Sequence, residues 1–124
     1  MRPPGLPFGA RRLEKPWGYE LIWAETSQYV GKILHIERGG QLSYQYHQRK
    51  VETLHVLAGR IELEVAAADG PRQTVRLEPG QSVHLPAGMR HRLTAIETAD
   101  VLEASTPELD DVVRLEDRYG RAGT

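Results

Sequence analysis

Two imidazoles, one carboxylate and one carboxamide stand at spacings that could gather them around a single ion. His47 follows Gln45 by two residues, so on an extended strand both side chains leave the same face. Glu52 opens the next strand after a short polar connection, Gln48 to Val51. Folding that strand back returns its carboxylate to the first two groups. His91 stands at the mouth of a later strand, just past the turn Pro86-Ala87-Gly88. This mixed nitrogen and oxygen set suits one divalent ion, zinc first, with manganese, iron, nickel or cobalt as alternatives. Cysteine is absent, which excludes thiolate ligands and a disulfide framework alike. Spacing alone does not decide the matter. Gln-x-His is a short pattern, and a strand histidine beside a glutamate is more often a hydrogen-bonded surface residue.

The elements that must position these groups are short and extended. Tyr19–Trp23, Val30–Ile36, Leu42–His47, Thr53–Leu57, Arg60–Val65, Thr74–Leu77, Ser82–Leu85, Arg92–Ile96 and Val101–Ala104 read as strands. Gly39-Gly40, Ala58-Gly59, Asp69-Gly70-Pro71, Glu78-Pro79-Gly80 and Pro86-Ala87-Gly88 punctuate them. No segment before Pro107 carries a sustained helical apolar period, and Asp110–Tyr119 is ambiguous between strand and short helix. Residues 1–16 hold four of the eight prolines, a density that argues against regular structure and for an extended arm. Residues 17–121 then form the single domain, an all-β sandwich or barrel. With 124 residues there is no room for two comfortable cores. Sixteen Lys and Arg against 17 Asp and Glu leave no net field to draw in nucleic acid or an anionic membrane. No apolar run is long enough to span a bilayer or to serve as a secretory h-region, so the expected location is the cytoplasm.

Gly40, His47-x4-Glu52-x6-Gly59 and Gly80-x5-Pro86-x-Gly88-x2-His91 resemble the two motifs of the cupin superfamily. The first motif normally opens His-x-His, where this chain has Gln45, and Ala95 stands where the second normally closes with Asn. Within the superfamily, Lys15-Pro16-Trp17-Gly18-x-Glu20, Leu42-Ser43-x-Gln45-x-His47 and His91-Arg92-Leu93 resemble the mannose-6-phosphate isomerase module of bifunctional mannose-1-phosphate guanylyltransferases. The tail from Asp110 to Arg121 is similar to that module's C-terminal signature. The resemblance implies a double-stranded β-helix, the jelly-roll cupin barrel, with the ion on Gln45, His47, Glu52 and His91. The guanylyltransferase half has no counterpart here. Lys50 occupies an arginine position of the module and keeps a cation without its bidentate fork. Thr53 and Leu54 replace a His-Trp pair, removing an aromatic wall.

What the resemblance implies for function is a metal-dependent aldose–ketose isomerase acting on a small sugar or sugar phosphate. Lys50 and Lys32 are the candidates for proton transfer or charge stabilisation, and Arg92 or Arg114 for the phosphate. Lys32 alternates with Leu34 and Ile36, so it either enters the barrel or sits at a strand edge. His84 could line the pocket or serve as a hydrogen-bonded wall residue, and His35 and His55 read as surface or interface residues. Trp17 and Trp23 read as packing rather than sugar platforms. An iron or nickel dioxygenase and a non-catalytic sugar-sensing protein are the alternatives on the same scaffold. Leu54 and Val56 on one face of their strand, with Leu57 on the other, imply a second apolar cover and hence a homodimer with the N-terminal arm near the interface.

Overall fold

A computed structural model describes residues 3–123. Nine strands, all antiparallel, form a curled sheet: β1 (Arg11–Lys15), β2 (Gly18–Glu25), β3 (Val30–Ile36), β4 (Tyr44–Tyr46), β5 (Glu52–Ala66), β6 (Gln73–Leu77), β7 (Ser82–Leu85), β8 (Arg90–Ser105) and β9 (Val113–Glu116). The path runs β1-β2-β3-β8-β4-β9, while β5 pairs with β6, β7 and β8. This is the all-β barrel that the short strands and turns imply, in the jelly-roll form that the resemblance implies.

The long strands β5 and β8 form the spine. They pair from Glu52↔Ser105 to Ala66↔Arg90. On its other edge β8 pairs with β3 near its C-terminal end and with β4 at His91. Two pairs of expected strands are therefore single bent ones. Ala58-Gly59 is not a turn but the centre of a run of register shifts in β5. Gly59 has φ +77°, and a Cβ there would sit 2.2 Å from the Thr98 carbonyl oxygen. Only glycine fits that bend.

The N-terminal stretch also departs from expectation. Arg11–Lys15 forms β1 and pairs with β2 from Arg11↔Ile22 to Lys15↔Gly18, so the sheet starts inside the proline-rich segment. Pro3, Pro4 and Pro7 precede β1 and Pro16 follows it, leaving five residues with free amide donors. Within the Asp110–Tyr119 tail, Val113–Glu116 resolves as strand β9 and pairs with β4, and no part of it is helical.

Inward positions divide the barrel into two ends. On β3 the inward row reads Lys32, Leu34, Ile36; on β5 it begins Glu52, Leu54, Val56; on β8 it holds His91, Leu93, Ala95 and then Val101, Glu103. Each row places its polar member at one end and apolar residues two positions on. Register aligns them, with Lys32↔Glu103 and Leu34↔Val101. Trp17, Ile36, Leu54, Val56, Ile61, Leu63, Leu85 and Val101 plug the apolar end, all nearly or fully buried. The polar residues converge at the other.

Candidate metal centre

The centre is assembled from β4, the loop after it, β5 and β8. Gln45 on β4 is the register partner of His91 on β8, which sets these two side chains side by side. His47 lies just beyond β4, and Glu52 is the first residue of β5. The connecting loop is held from the C-terminal tail. The Asp111 carboxylate accepts hydrogen bonds from the backbone N–H of Gln48 (3.0 Å), Arg49 (2.7 Å) and Lys50 (2.9 Å). Burial pushes the Asp111 carboxyl up, but these three donors outweigh it and hold it at about 2.

Both imidazoles are oriented by their Nδ1 atoms. His47 Nδ1 donates to the Asp111 carbonyl at 2.5 Å, and His91 Nδ1 donates to the Met89 carbonyl at 3.0 Å. A carbonyl only accepts, so each Nδ1 carries the proton and each Nε2 is left to face inward. Those Nε2 atoms lie 3.5 Å and 3.1 Å from Glu52 Oε1. Neither contact has hydrogen-bond geometry, and both Nε2 atoms are buried without a hydrogen-bond partner among the described residues. An unsatisfied buried polar atom costs about 1–3 kcal/mol. Here two such nitrogens and a carboxylate oxygen confront one another, with one ligand atom from each of His47, Glu52 and His91 all within 4.8 Å of one another. A divalent cation is the group that satisfies this donor set, and neutral imidazoles with backbone-bonded Nδ1 are the form that binds one. The residues present fit a metal ion. Gln45 adds an amide oxygen, now accepting from Ser43 Oγ at 2.8 Å.

A chain of alternating charges leads away from the centre. Lys50 Nζ stands 3.2 Å from Glu52 Oε2 and 2.9 Å from Glu103 Oε2. Lys32 Nζ stands 3.8 Å from Glu103 Oε2 and 3.3 Å from Glu20 Oε1. Burial works to lower the Lys50 ammonium, but the flanking Glu103 and Glu52 reverse that and raise it, so it keeps its proton. Burial pushes Glu52 up, and the Lys50 ammonium at 3.2 Å pulls it down. Burial, then the charge of Glu52, lift the Glu103 carboxyl above the usual value against the pull of Lys32 and Lys50. These groups line a cavity of about 180 Å³ that reaches Gln45, His47 and Glu52 at one side and Lys15 and Arg114 at another.

The structure thus brings Gln45, His47, Glu52 and His91 together, with Lys50 and Lys32 inside the barrel and both engaged by acids. Arg92 does not join them. It follows His91 on a strand, so it points to the opposite face, where it forks onto Glu64 (2.7 and 3.0 Å) and reaches Glu116 at 3.3 Å. Its guanidinium thus serves ion pairs on the outer face, and of the two arginines named for a phosphate only Arg114 lines the cavity. His35 stacks on Tyr19 and bonds Asp100, His55 bonds Ser82, and His84 bonds Thr53 on the exterior. Trp17 is core and Trp23 is half-exposed. Glu103, Glu20 and Asp111 carry roles that sequence reasoning does not assign. Alternation with Val101 is the one signal that could have turned Glu103 inward.

Comparison with known proteins agrees with this fold. The profile described as Cupin domain matches residues 32–104, and the chain belongs to that family. The chain is 33% identical over 117 residues to Xanthan biosynthesis protein XanB of Xanthomonas campestris pv. campestris, covering 90% of this chain and 24% of that protein. It is 32% identical over 117 residues to Mannose-1-phosphate guanylyltransferase ManC of Salmonella typhimurium, covering 90% of this chain and 23% of that protein. The chain therefore spans about a quarter of the length of these relatives. Among solved structures, KdgF from Halomonas sp. superposes with a TM-score of 0.68 at 23% identity, covering 81% of this chain and 90% of that one. Among the described residues no helix is long and apolar enough to cross a membrane.

Proposed function

We propose that the protein is a metal-dependent aldose–ketose isomerase of a small sugar phosphate, mannose 6-phosphate first, acting as a cytoplasmic homodimer. The observation that carries this reading is the pair of orphaned Nε2 atoms facing Glu52 beside a cavity walled by charged groups. Gln45, His47, Glu52 and His91 would hold the ion, zinc first, and the bound ion supplies Lewis acidity toward the oxygens on carbons 1 and 2. The remaining roles belong to this chain's own side chains. Lys50, held as an ammonium between two carboxylates, stabilises negative charge that develops on the sugar oxygens. Glu103, which lines the cavity beside Glu52 and whose carboxyl burial raises above its usual value, is assigned the proton transfer from one carbon to the next. Lys32 fixes Glu103 from the opposite side. The buried Leu34 and Leu54 close the floor behind the site and keep water from entering through the apolar end.

XanB and ManC, whose names place them in xanthan biosynthesis and in mannose-1-phosphate guanylyl transfer, support a sugar-phosphate ligand. A dimer would cover part of the exposed apolar surface, for Leu57 is 55% exposed on the outward face of β5 while Leu54 and Val56 are buried on the inward face. The test is conversion of mannose 6-phosphate to fructose 6-phosphate by zinc-loaded protein, coupled to a fructose 6-phosphate readout. Turnover should appear with metal, vanish with chelator and return on readdition. Metal-loaded protein that isomerises no aldose phosphate or free aldose contradicts the proposal. Oxygen consumption in that case would point to the two-histidine, one-carboxylate dioxygenase alternative.

A further inference from the structure

Five cations reach the cavity, and three of them are already engaged. Lys32 and Lys50 bridge buried carboxylates, and Arg11 pairs with Glu25 at 3.1 Å. Lys15 and Arg114 differ. Among the described residues neither side chain has an acidic partner, and the Arg114 Nε is buried with no hydrogen bond at all. A buried guanidinium N–H left unpaired is costly, and a protein retains one where a ligand completes it. The other tail arginines are occupied: Arg121 forks onto Asp117, and Arg118 donates to the Gly39 carbonyl at 2.8 Å. Lys15 and Arg114 also share a side recess of about 60 Å³ whose wall includes Gln45 but not His47, Glu52 or His91. Two cations without an acidic partner among the described residues thus flank a small hollow whose wall also holds Gln45 of the metal-binding set, Arg121, and Glu20, which Lys32 engages at 3.3 Å.

We propose that Lys15 and Arg114 form an anion-binding subsite that takes the phosphate group of the ligand while its other end meets the metal-binding residues. The pairing suits a tetrahedral oxyanion, because Arg114 offers a planar set of donors and Lys15 a mobile point charge. β1 brings Lys15 to the hollow, immediately before the Pro16-Trp17-Gly18 turn, and β9 brings Arg114 by pairing with Gln45 of β4. This assignment rests on the sugar-phosphate reading, which it sharpens by naming where the charged end binds.

The test is calorimetric titration of zinc-loaded protein with inorganic phosphate, alongside mannose 6-phosphate and unphosphorylated mannose. Wild type should bind phosphate. Lys15→Gln and Arg114→Gln should each weaken that binding about tenfold, the loss of one charge-assisted contact. Arg114→Lys should recover part of it, and zinc content should stay at the wild-type level in all three, which also shows that they fold. Mannose affinity should be unchanged by either substitution. Phosphate binding that is absent in wild type, or equal in wild type and both Gln variants, overturns the subsite. If phosphate binding depends on Lys15 and Arg114 but no aldose phosphate is isomerised, the subsite stands and the isomerase reading falls. If isomerisation proceeds with unchanged KM in both Gln variants, the reading stands and the subsite falls.

Discussion

Replacing Asp111 with Ala removes no metal-binding residue, yet it should weaken metal binding and fold stability together. Its carboxylate holds three consecutive backbone N–H groups of the loop between His47 and Glu52, at 2.7 to 3.0 Å. Hydrogen bonds to a charged acceptor contribute about 1.5–3 kcal/mol each when buried. Gln48 and Arg49 are exposed, so water replaces the acceptor for two of the three donors at little net cost. Lys50 is buried, and its amide is the donor left poorly served. The expected loss is therefore about 1–3 kcal/mol, read as a lower urea midpoint with unchanged slope. The same loop aims His47 and carries Lys50, so zinc affinity should fall about 10- to 100-fold, the usual effect of removing an outer support of a ligand. Competition against a fluorescent zinc indicator measures that directly. Wild-type midpoint together with wild-type zinc affinity in the Asp111→Ala protein would refute the reasoning that the tail positions the site.

Three further outcomes follow from the same structure. Asp111 sits at about 2 against an ordinary 3.8, so its stabilisation is complete above about pH 4 and is lost as pH falls toward 2. Acid unfolding curves of wild type and Asp111→Ala should converge across that window, and parallel curves would contradict the assignment. Gly59→Ala should cost at least about 1–2 kcal/mol from left-handed strain alone, with the contact at 2.2 Å from the Thr98 carbonyl adding to it; an unchanged urea midpoint would disprove the bend. Arg92→Ala should lower stability by about 1 kcal/mol through loss of the Glu64 and Glu116 pairs while leaving sugar-phosphate KM as in wild type; a raised KM would return Arg92 to the ligand site.

The candidate metal ligands are legible because strand alternation and turn chemistry are local rules, and Gln45 with His47 obeys the first while His91 obeys the second. Arg92 shows the same rule unapplied, since a residue next to an inward His91 must face outward. Glu103 is harder. Alternation puts it on the face of Val101, but a glutamate reads as solvent-facing until Lys32 and Lys50 are known to meet it, and that meeting depends on the pairing of β3 with β8 and the path of a loop. Ala58-Gly59 misleads for a related reason, because a glycine bulge inside a long strand and a turn between two strands use the same residues. β1 hides among prolines whose flanking positions leave just enough free amides for a ladder. Arg114 is ambiguous in sequence because a tail arginine is usually solvated, and only the pairing of β9 with β4 brings it to the cavity.

The central claim is that His47, Glu52 and His91, with Gln45, hold one divalent ion. Elemental analysis of protein purified without chelator, followed by zinc titration at neutral pH, tests it most directly. One divalent ion per chain is expected at saturation, lost in His47→Ala and His91→Ala and retained in His35→Ala and His55→Ala. Protein that arrives without metal and takes up none at neutral pH, or that binds it equally well after both His47 and His91 are removed, would contradict it.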